Sequence, residues 1–259
     1  MSAGHAAEHV TFLVDAVTKD VEQVRSGLPQ GADVLAARIK NDAGLMKDLD
    51  NVRDSLELAR RKVQDLRIAK STFFALADTS GVALRNDQEQ DRMAGKPFFA
   101  AFPALTAAKD KYVETTGSMP EAAGVRAPRA DGQWVAATPV KVDGVTQALY
   151  VTGWSWAAYA YRLEFAIRGK IRSEIGDKKD EKEPLLYVFI IDGKNVYGAP
   201  VTPEVNATTI GALDPLGKVK AGETYTSALE VTGRAYGLAV RPAPALGPNI
   251  GVAVLRSET

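Results

Sequence analysis

Few side chains in this sequence have the types and spacing that catalysis requires. Asp78-Thr79-Ser80-Gly81 differs by one intervening residue from the Asp-Thr/Ser-Gly run of aspartic proteases. Because aspartate and glycine are also what a tight turn needs for its backbone, we interpret this run as a turn. The chain has no cysteine and only two histidines, His5 and His9. Their i, i+4 spacing could hold a metal ion on a helix, but without a neighbouring carboxylate pair we interpret both as solvated.

The composition argues against several other classes of function. The formal net charge is 0 and 25% of the residues are charged, so nothing indicates a nucleic-acid partner, which would favour a basic excess. The sequence contains no Gly-rich phosphate loop, no Gly-x-Ser-x-Gly elbow and no zinc-ligand spacing. With neither cysteine nor an internal histidine, nucleophilic and general-base catalysis have few candidate residues. We predict that the protein is not an enzyme and carries no cofactor.

A binding site for a small molecule agrees better with the residues present. Small-molecule pockets combine apolar walls with a few convergent polar groups, and the arginine guanidinium pairs with both oxygens of a carboxylate. Basic and aromatic residues concentrate in the middle of the chain. The predicted ligand-binding residues are Arg85, Lys96, Phe99, Arg126, Arg129, Trp134, Tyr150, Thr152 and Trp154. A small anion, such as a short carboxylate, is the expected ligand class.

Strand periodicity sorts part of this set by face. Side chains alternate along a strand, so Tyr150, Thr152 and Trp154 share one face, whereas Leu149 and Val151 share the other. The pattern leaves open which face lines the pocket.

The N-terminal region is predicted to be helical, with an apolar seam. Apolar residues recur at alternating steps of four and three, which is typical of helix-on-helix packing. The seam consists of Val10, Val14, Val17, Val21, Val24 and Leu28. Leu28-Pro29-Gln30-Gly31 is predicted to end this helix, and a second helix, on the order of 55–60 Å long, to lie within residues 32–70. The seam either packs on the chain's own domain or joins two chains in a dimer.

The periodicity then becomes that of strands, and the same order of segments occurs twice. FFALADTSGVALRND, from Phe73 to Asp87, and YVFIIDGKNVYG, from Tyr187 to Gly198, each contain two apolar runs joined by a turn. A later hairpin follows each of them, at residues 134–153 and at residues 234–255. In the first copy the intervening segment is a longer insertion, Asp87 to Gln133, which we expect to be helical or irregular.

The repeat predicts an α+β protein with two lobes, each built on one antiparallel sheet with flanking helices. Residues 1–70 form the helical region, and residues 71–175 form the first lobe with its connecting helix. The charged run GDKKDEKEP, residues 176–184, is predicted to be a hinge. Residues 185–259 form a second, smaller lobe. We expect ligand binding in the first lobe and signal relay in the second.

A long N-terminal helix followed by two such lobes resembles the double Cache family, the PAS-like ligand-sensing modules of bacterial receptors. The resemblance rests on FFALADTSGVALRND and WVAATPVKVDGVTQALYVTGWS, and on their shorter counterparts YVFIIDGKNVYGAP and RAYGLAVRPAPALGPNIGVAVL. It covers nearly the whole chain. Family members that bind amino acids through their amino and carboxyl groups carry Arg-x-Trp-Tyr. This sequence has no such motif, which argues against amino-acid recognition.

The resemblance implies the periplasmic sensor domain of an inner-membrane receptor. No apolar run of membrane-spanning length occurs, so the chain would be the extracytoplasmic part without its transmembrane segments. Binding of a small molecule would drive a histidine kinase, a chemotaxis receptor or a cyclic-dinucleotide enzyme, and we expect a homodimer through the N-terminal helix. Two alternatives remain open: a dimerising interaction module without a ligand, and a cytosolic PAS or GAF-like regulator.

Overall fold

The computed structural model describes residues 2–120, 131–175, 183–220 and 222–257. The helices are α1 (Ser2–Asn41), α2 (Leu49–Lys62), α3 (Gln64–Ile68), α4 (Phe98–Ala101), α5 (Trp156–Ile175) and α6 (Glu204–Ala212). The strands are β1 (Phe73–Ala77), β2 (Ala83–Asn86), β3 (Val113–Gly117), β4 (Gln133–Val142), β5 (Val145–Ser155), β6 (Leu186–Asp192), β7 (Asn195–Gly198), β8 (Tyr225–Val231), β9 (Arg234–Pro242) and β10 (Ile250–Ser257). Short 3₁₀ helices occupy Leu45–Lys47, Pro103–Lys109 and Leu216–Lys218. None of the helices in these ranges has the length and apolar character needed to cross a membrane.

The strands of the described ranges form two five-stranded sheets, and the two sheets have the same strand order. The first sheet has the order β2-β1-β5-β4-β3 and the second β7-β6-β10-β9-β8. All neighbouring strands are antiparallel. Adding five to every strand number of the first sheet gives the second, so the predicted structural repeat is confirmed. The predicted α+β class, a long N-terminal helix followed by two antiparallel sheets with flanking helices, is confirmed as well.

The chain divides into two compact units. The continuous unit, Asp20–Ser155, contains the first sheet, and the discontinuous unit combines Met1–Lys19 with Trp156–Thr259 and contains the second sheet. Helix α1 therefore contributes residues to both units. Helix α5 belongs to the unit of the second sheet, whereas the sequence analysis grouped it with the first lobe.

Helix α1 is longer than predicted. The expected helix end at Leu28–Gly31 is wrong, because α1 continues through Pro29 to Asn41. A proline inside a helix costs about 3 kcal/mol, since one backbone hydrogen bond is lost. Burial of the apolar side chains on either side of Pro29, Val24, Leu28 and Ala32, each at most 3% exposed, offsets this cost. The exposed ion pair of Arg25 with Glu114, at 2.6 Å, adds at most about 1 kcal/mol.

The single helix predicted within residues 32–70 is also wrong. The chain instead finishes α1, forms a 3₁₀ turn and continues as α2 and α3. Asp48 explains where α2 begins, because its carboxylate accepts hydrogen bonds from the backbone N–H groups of Asp50 and Asn51.

The apolar seam of α1 lies inside the chain's own fold. Every one of its members is exposed by at most 9%. The interpretation that the seam packs on its own domain is therefore correct for this face of the helix. An exposed stripe runs along the opposite face, formed by Glu8, Phe12, Asp15 and Lys19.

His9 is not solvated as expected, but buried within the discontinuous unit. It is 6% exposed, and its Nδ1 forms no hydrogen bond with any residue that the structure describes. The pKa of His9 is lowered to about 4, first by burial and then by the positive charge of Arg256, while Glu174 acts in the opposite direction and Lys170 adds to the lowering.

Mild acid should destabilise the discontinuous unit through His9. Between the ordinary value of 6.5 and about 4, the unfolded chain binds a proton that the folded chain does not, so the free energy of unfolding falls as pH falls. Allowing for partial solvent screening, we expect a loss of about 1–2 kcal/mol. Urea unfolding at several pH values in this window should show a flatter pH dependence for His9→Leu than for the wild type. His5→Leu is the control and should follow the wild type; equal slopes for all three proteins would contradict the assignment.

Candidate ligand-binding site

The first sheet has two buried faces, which we name by what covers them. On the insertion face, Phe73, Leu149 and Val151 pack with side chains from the segment between β2 and β4. The helix face carries Phe74 and Thr152, which are paired across β1 and β5. Since side chains alternate along each strand, the sheet separates these two sets, as the sequence pattern predicts for β5.

The insertion face is filled by apolar side chains of the insertion. This segment is not only helical or irregular, because it also contains the edge strand β3. Phe98 stacks on Phe73 with ring centroids 6.4 Å apart. The predicted site residue Phe99 is partly buried against the same cluster, and Nζ of Lys109 lies 5.4 Å from the centroid of its ring.

Asp78 forms the predicted turn. Its Oδ1 accepts hydrogen bonds from Ser80 N at 2.9 Å, from the Ser80 hydroxyl at 2.6 Å and from Val82 N at 2.9 Å. Burial alone would raise the pKa of Asp78, but the hydrogen bonds from Ser80, Val82 and Gly81 hold it below the ordinary value. The carboxylate therefore acts as the acceptor that closes the β1–β2 connection.

Arg85, a predicted ligand-binding residue, takes part in a buried ion pair with Asp91. Its Nη1 lies 3.3 Å from Oδ2 of Asp91, and the two side chains are 10% and 8% exposed. The same Nη1 donates to the carbonyl oxygen of Gln88 at 2.9 Å. Asp91 also accepts from three backbone N–H groups, those of Asn86 at 3.0 Å, Met93 at 2.7 Å and Ala94 at 3.1 Å. The pair thus organises the loop that follows β2.

The helix face gathers four of the predicted residues. Trp134 and Trp154 are fully buried and stack with ring centroids 4.4 Å apart and an interplanar angle of 16°. Thr152 donates from Oγ1 to the carbonyl oxygen of Phe73 at 2.7 Å. Tyr150, also fully buried, stacks on Phe74 at 5.9 Å.

A polar corner lies on this face around Tyr150. Oδ1 of Asp87 accepts from Phe74 N at 2.9 Å, and Oδ2 lies 3.4 Å from Nη1 of Arg60. The guanidinium of Arg60 lies 5.3 Å from the centroid of the Phe74 ring, which is cation–π geometry. Burial raises the pKa of Asp87, although the hydrogen bonds from Phe74 and Gln88 and the charge of Arg60 act against it.

Tyr150 supplies a donor to this corner. Burial, and then the negative charge of Asp87, raise the pKa of Tyr150 well above its ordinary value, while Arg60 acts in the opposite direction. The phenol is therefore protonated at neutral pH. Neither its hydroxyl nor Nε1 of Trp134 has a hydrogen-bond partner among the described residues. Buried donors of this kind are normally satisfied by water or by a ligand.

The predicted ligand-binding residues therefore do not form a single cluster. Trp134, Tyr150, Thr152 and Trp154 share the helix face, whereas Phe99 packs against the insertion face. Arg85 is in its ion pair, and Lys96 is exposed. Arg126 and Arg129 lie outside the described residues.

Two residues of the polar corner, Arg60 and Asp87, were missed by sequence reasoning. Asp87 ends the first strand hairpin in the sequence, and Arg60 lies on a helix expected to be continuous. The two residues are 27 positions apart in the sequence, one on a helix and one in a loop. Hydrophobic periodicity identifies helices and strands, but it does not predict which polar residues of different elements come into contact. The tyrosine, in contrast, was identifiable from its strand position.

Comparison with known proteins identifies the fold. No family model matches the sequence, and no curated protein matches it. Among solved structures, an extracellular ligand-binding receptor from Desulfohalobium retbaense DSM5692 aligns with a TM-score of 0.58 and 13% identity, covering 97% of this chain and 40% of that chain. This protein therefore spans less than half of that receptor.

Two chemoreceptor domains align over nearly their whole length. The ligand-binding domain of the Pseudomonas aeruginosa PAO1 amino-acid chemoreceptor PctC, in complex with GABA, has a TM-score of 0.52 and 15% identity over 99% of this chain and 100% of that chain. That of the Pseudomonas fluorescens chemoreceptor CtaA, in complex with L-isoleucine, has a TM-score of 0.54 and 13% identity over 99% and 92%. These likenesses confirm the predicted fold of one long helix followed by two antiparallel-sheet lobes.

Proposed function

We propose that this protein is the ligand-sensing domain of a bacterial transmembrane receptor. The observation that carries the proposal is the order of elements along the chain: one long helix followed by two five-stranded sheets with the same strand order. Ligand-binding domains of chemoreceptors align with this architecture over nearly the whole chain. Such a domain lies outside the cytoplasmic membrane, between membrane-spanning segments of the full receptor. Ligand binding shifts the balance between two conformations by its difference in affinity for them.

The proposed ligand is a small molecule with a carboxylate, bound in the first lobe. Of the predicted residues, Trp134, Tyr150, Thr152 and Trp154 share the helix face and are kept in the proposed site. Arg126 and Arg129 are the groups that would pair with the carboxylate. The polar corner supports a site in this unit, because the hydroxyl of Tyr150 is a buried donor in the field of Asp87 and Arg60. GABA and L-isoleucine, the ligands of the PctC and CtaA structures, belong in the test panel as carboxylates that also carry an amine.

A homodimer through α1 completes the proposal. Since the apolar seam is buried in the chain itself, the dimer contact would use the exposed stripe of Glu8, Phe12, Asp15 and Lys19. The residues of this stripe are spaced by four, three and four positions, as in a coiled-coil surface, and they include both acidic and basic side chains. A shift of one helix against its partner would transmit the ligand-induced change.

Native mass spectrometry of freshly purified protein tests these points together. We expect a small co-purified species that is lost on denaturation, and an assembly of twice the 27.7 kDa chain mass. A saturating carboxylate, at about 100 times its Kd, should stabilise the fold by about 2.7 kcal/mol, or roughly 5–10 °C in Tm. The alternative, an interaction module without a ligand, would be favoured by two results together. The protein would carry no co-purified small molecule, and its Tm would not change with acetate, propionate, GABA or L-isoleucine.

Arg126→Ala and Arg129→Ala should weaken binding of the carboxylate that gives the thermal shift. Loss of one charge-assisted hydrogen bond corresponds to a roughly 10–100-fold increase in Kd. Isothermal titration with each variant measures the change. Arg61→Ala, which removes an exposed arginine of α2, is the matched control and should bind as the wild type does. Unchanged affinity in both variants would remove these arginines from the site.

A further inference from the structure

We propose, on the basis of the homodimer proposed above, that the exposed stripe of α1 packs on α5 of the second copy rather than on its α1. The surface that receives the stripe is an exposed row on α5, which we name the α5 row. It consists of Tyr161, Phe165 and Arg172. Each copy would contribute one stripe and one row, so the contact occurs twice in the dimer.

Exposed aromatic side chains occur on only two helices in the part of the chain that the structure describes. Phe165 of α5 is 70% exposed, Tyr161 of α5 is 52% exposed and Phe12 of α1 is 37% exposed. The other large apolar side chains that are exposed in these ranges are all aliphatic. Because aromatic side chains bury a large area on contact and are enriched in protein–protein interfaces, two of them one turn apart on α5 indicate a contact surface.

The α1 stripe and α5 lie side by side within the discontinuous unit. Nζ of Lys170 lies 5.5 Å from the centroid of the Phe12 ring, and His9 experiences the charge of Glu174. The later of these two α1 residues therefore lies beside the earlier of the two α5 residues, so the helices run in opposite directions. A two-fold axis parallel to both helices would bring α1 of each copy onto α5 of the other, again in antiparallel orientation.

The charges of the stripe favour α5 over a second α1. The stripe carries two acidic residues, Glu8 and Asp15, and one basic residue, Lys19. Two parallel α1 helices facing each other across a two-fold axis would bring each of these residues close to its own copy, and like charges at close range repel. Helix α5 instead carries four basic and two acidic residues, and one of the acidic residues, Glu164, is buried.

The spacing of the two surfaces matches in antiparallel orientation. Counted from Glu8, the next charged residues of the stripe follow at seven and eleven positions, and counted backwards from Arg172, the two aromatic residues of the α5 row follow at the same steps. Both surfaces therefore extend about 16.5 Å at 1.5 Å per residue. In this register the Phe12 ring of one copy lies about 4.5 Å along the helix axis from Phe165 of the other, within reach of an aromatic contact.

The ends of this register bring attractive groups together. Glu8 stands opposite Arg172 of the second copy, and Lys19 stands opposite Tyr161, where an ammonium can lie on the face of the ring. Nε of Arg172 lies 2.7 Å from Oε1 of Glu183 in its own chain, but both side chains of this pair are exposed. Since a guanidinium has five N–H donors, Arg172 can also reach the carboxylate of Glu8.

Disulfide trapping on the full chain tests the register, because the sequence contains no cysteine. The variants Glu8→Cys and Arg172→Cys are mixed, one of them with a size tag, and oxidised; each chain has a single cysteine, so every disulfide joins two copies. We expect the mixed product to predominate, because a disulfide requires Cα atoms within about 7 Å of each other. A mixture of Asp54→Cys, exposed on α2, with Arg172→Cys is the control for random collision. Linking of Glu8→Cys mainly to itself would show an α1–α1 contact and overturn the proposal.

Sedimentation equilibrium without ligand tests the role of the aromatic side chains. Phe165→Ala should raise the Kd of the dimer by about tenfold or more, as truncation of an interface aromatic commonly does. Ile68→Ala truncates another exposed apolar side chain, on α3, and should leave the Kd unchanged. A wild type that remains monomeric up to about 1 mM, or a Phe165→Ala variant with the wild-type Kd, would overturn the proposal. Both variants should retain the thermal shift with carboxylates, so a missing shift in all three proteins would count against the ligand alone.

Discussion

Replacing Asp91 by alanine should cost the continuous unit about 3–5 kcal/mol of unfolding free energy, the usual result of leaving a buried charge without its partner. Asp91 is the acceptor for the guanidinium of Arg85 and for three backbone N–H groups of the loop after β2. No other residue can take over all four interactions at once. Urea unfolding followed by tryptophan fluorescence measures the loss, because Trp134 and Trp154 lie buried in this unit.

The control for this substitution is Asp54→Ala. Asp54 is exposed on α2, and removal of an exposed carboxylate usually changes stability by less than about 0.5 kcal/mol. Asp91→Asn, which keeps an acceptor oxygen but loses the charge, should fall between the two. A stability of Asp91→Ala within error of Asp54→Ala would show that the ion pair contributes nothing.

Arg85 separates a structural role from a ligand-binding role. If its main partner is Asp91, the double variant Arg85→Ala/Asp91→Ala should lose less stability than the sum of the two single variants. A ligand contact would appear differently, as weaker binding with little change in unfolding. If the losses of unfolding free energy in the two single variants add up to that of the double variant, and Arg85→Ala also raises the Kd of the ligand, Arg85 would be assigned to the ligand-binding site.

Substituting alanine for Gly31 should destabilise the protein although alanine is the better helix former. A Cβ atom at this position would lie 2.6 Å from Cε1 of Tyr150 and 2.7 Å from Cδ1 of Leu66. Tyr150 is fully buried and stacked on Phe74, so it has no free volume to move into. Overpacking of this kind costs about 1–3 kcal/mol, which outweighs the gain of about 0.5–1 kcal/mol from helix propensity.

The same substitution at Gly169 should have the opposite sign. Gly169 lies on α5, is exposed, and has no neighbouring atom within 4 Å of an added Cβ. Gly169→Ala should therefore stabilise the chain by about 0.5–1 kcal/mol. Thermal unfolding of both variants measures the difference in sign. If Gly31→Ala and Gly169→Ala stabilise the chain equally, then Gly31 does not lie as close to Tyr150 in solution as the distances above indicate.

Periodicity was sufficient to predict the architecture where strands are apolar and paired by tight turns. The hairpin of β4 and β5 and that of β9 and β10 lie close to their predicted positions. The edge strands β3 and β8 escaped prediction because VETTG and YTSALEV are only half-buried and carry too few apolar residues to mark a strand. The break expected at Pro29 failed because packing of the flanking turns offsets the local penalty.

The candidate site was predictable only in part. Strand alternation placed Tyr150 and Thr152 on one face, but it could not show that α1 and α3 cover that face. Arg60 and Asp87 meet each other, and act on Tyr150 through their charges, only because of tertiary packing. Such groups become visible when hydrogen-bond partners are counted atom by atom.

The division of the chain has a consequence for synthesis on the ribosome. Residues 1–19 are synthesised well before the rest of their unit, which begins only at Trp156 and ends with β10. At 5–20 residues per second, the delay is roughly 10–50 s, during which the inner apolar side chains of the first turns of α1, such as Val10 and Val14, have no sheet to cover them. The continuous unit can complete its core within this interval. Topology thus imposes an order on nascent-chain folding: the inserted unit first, and the unit that encloses it in sequence last.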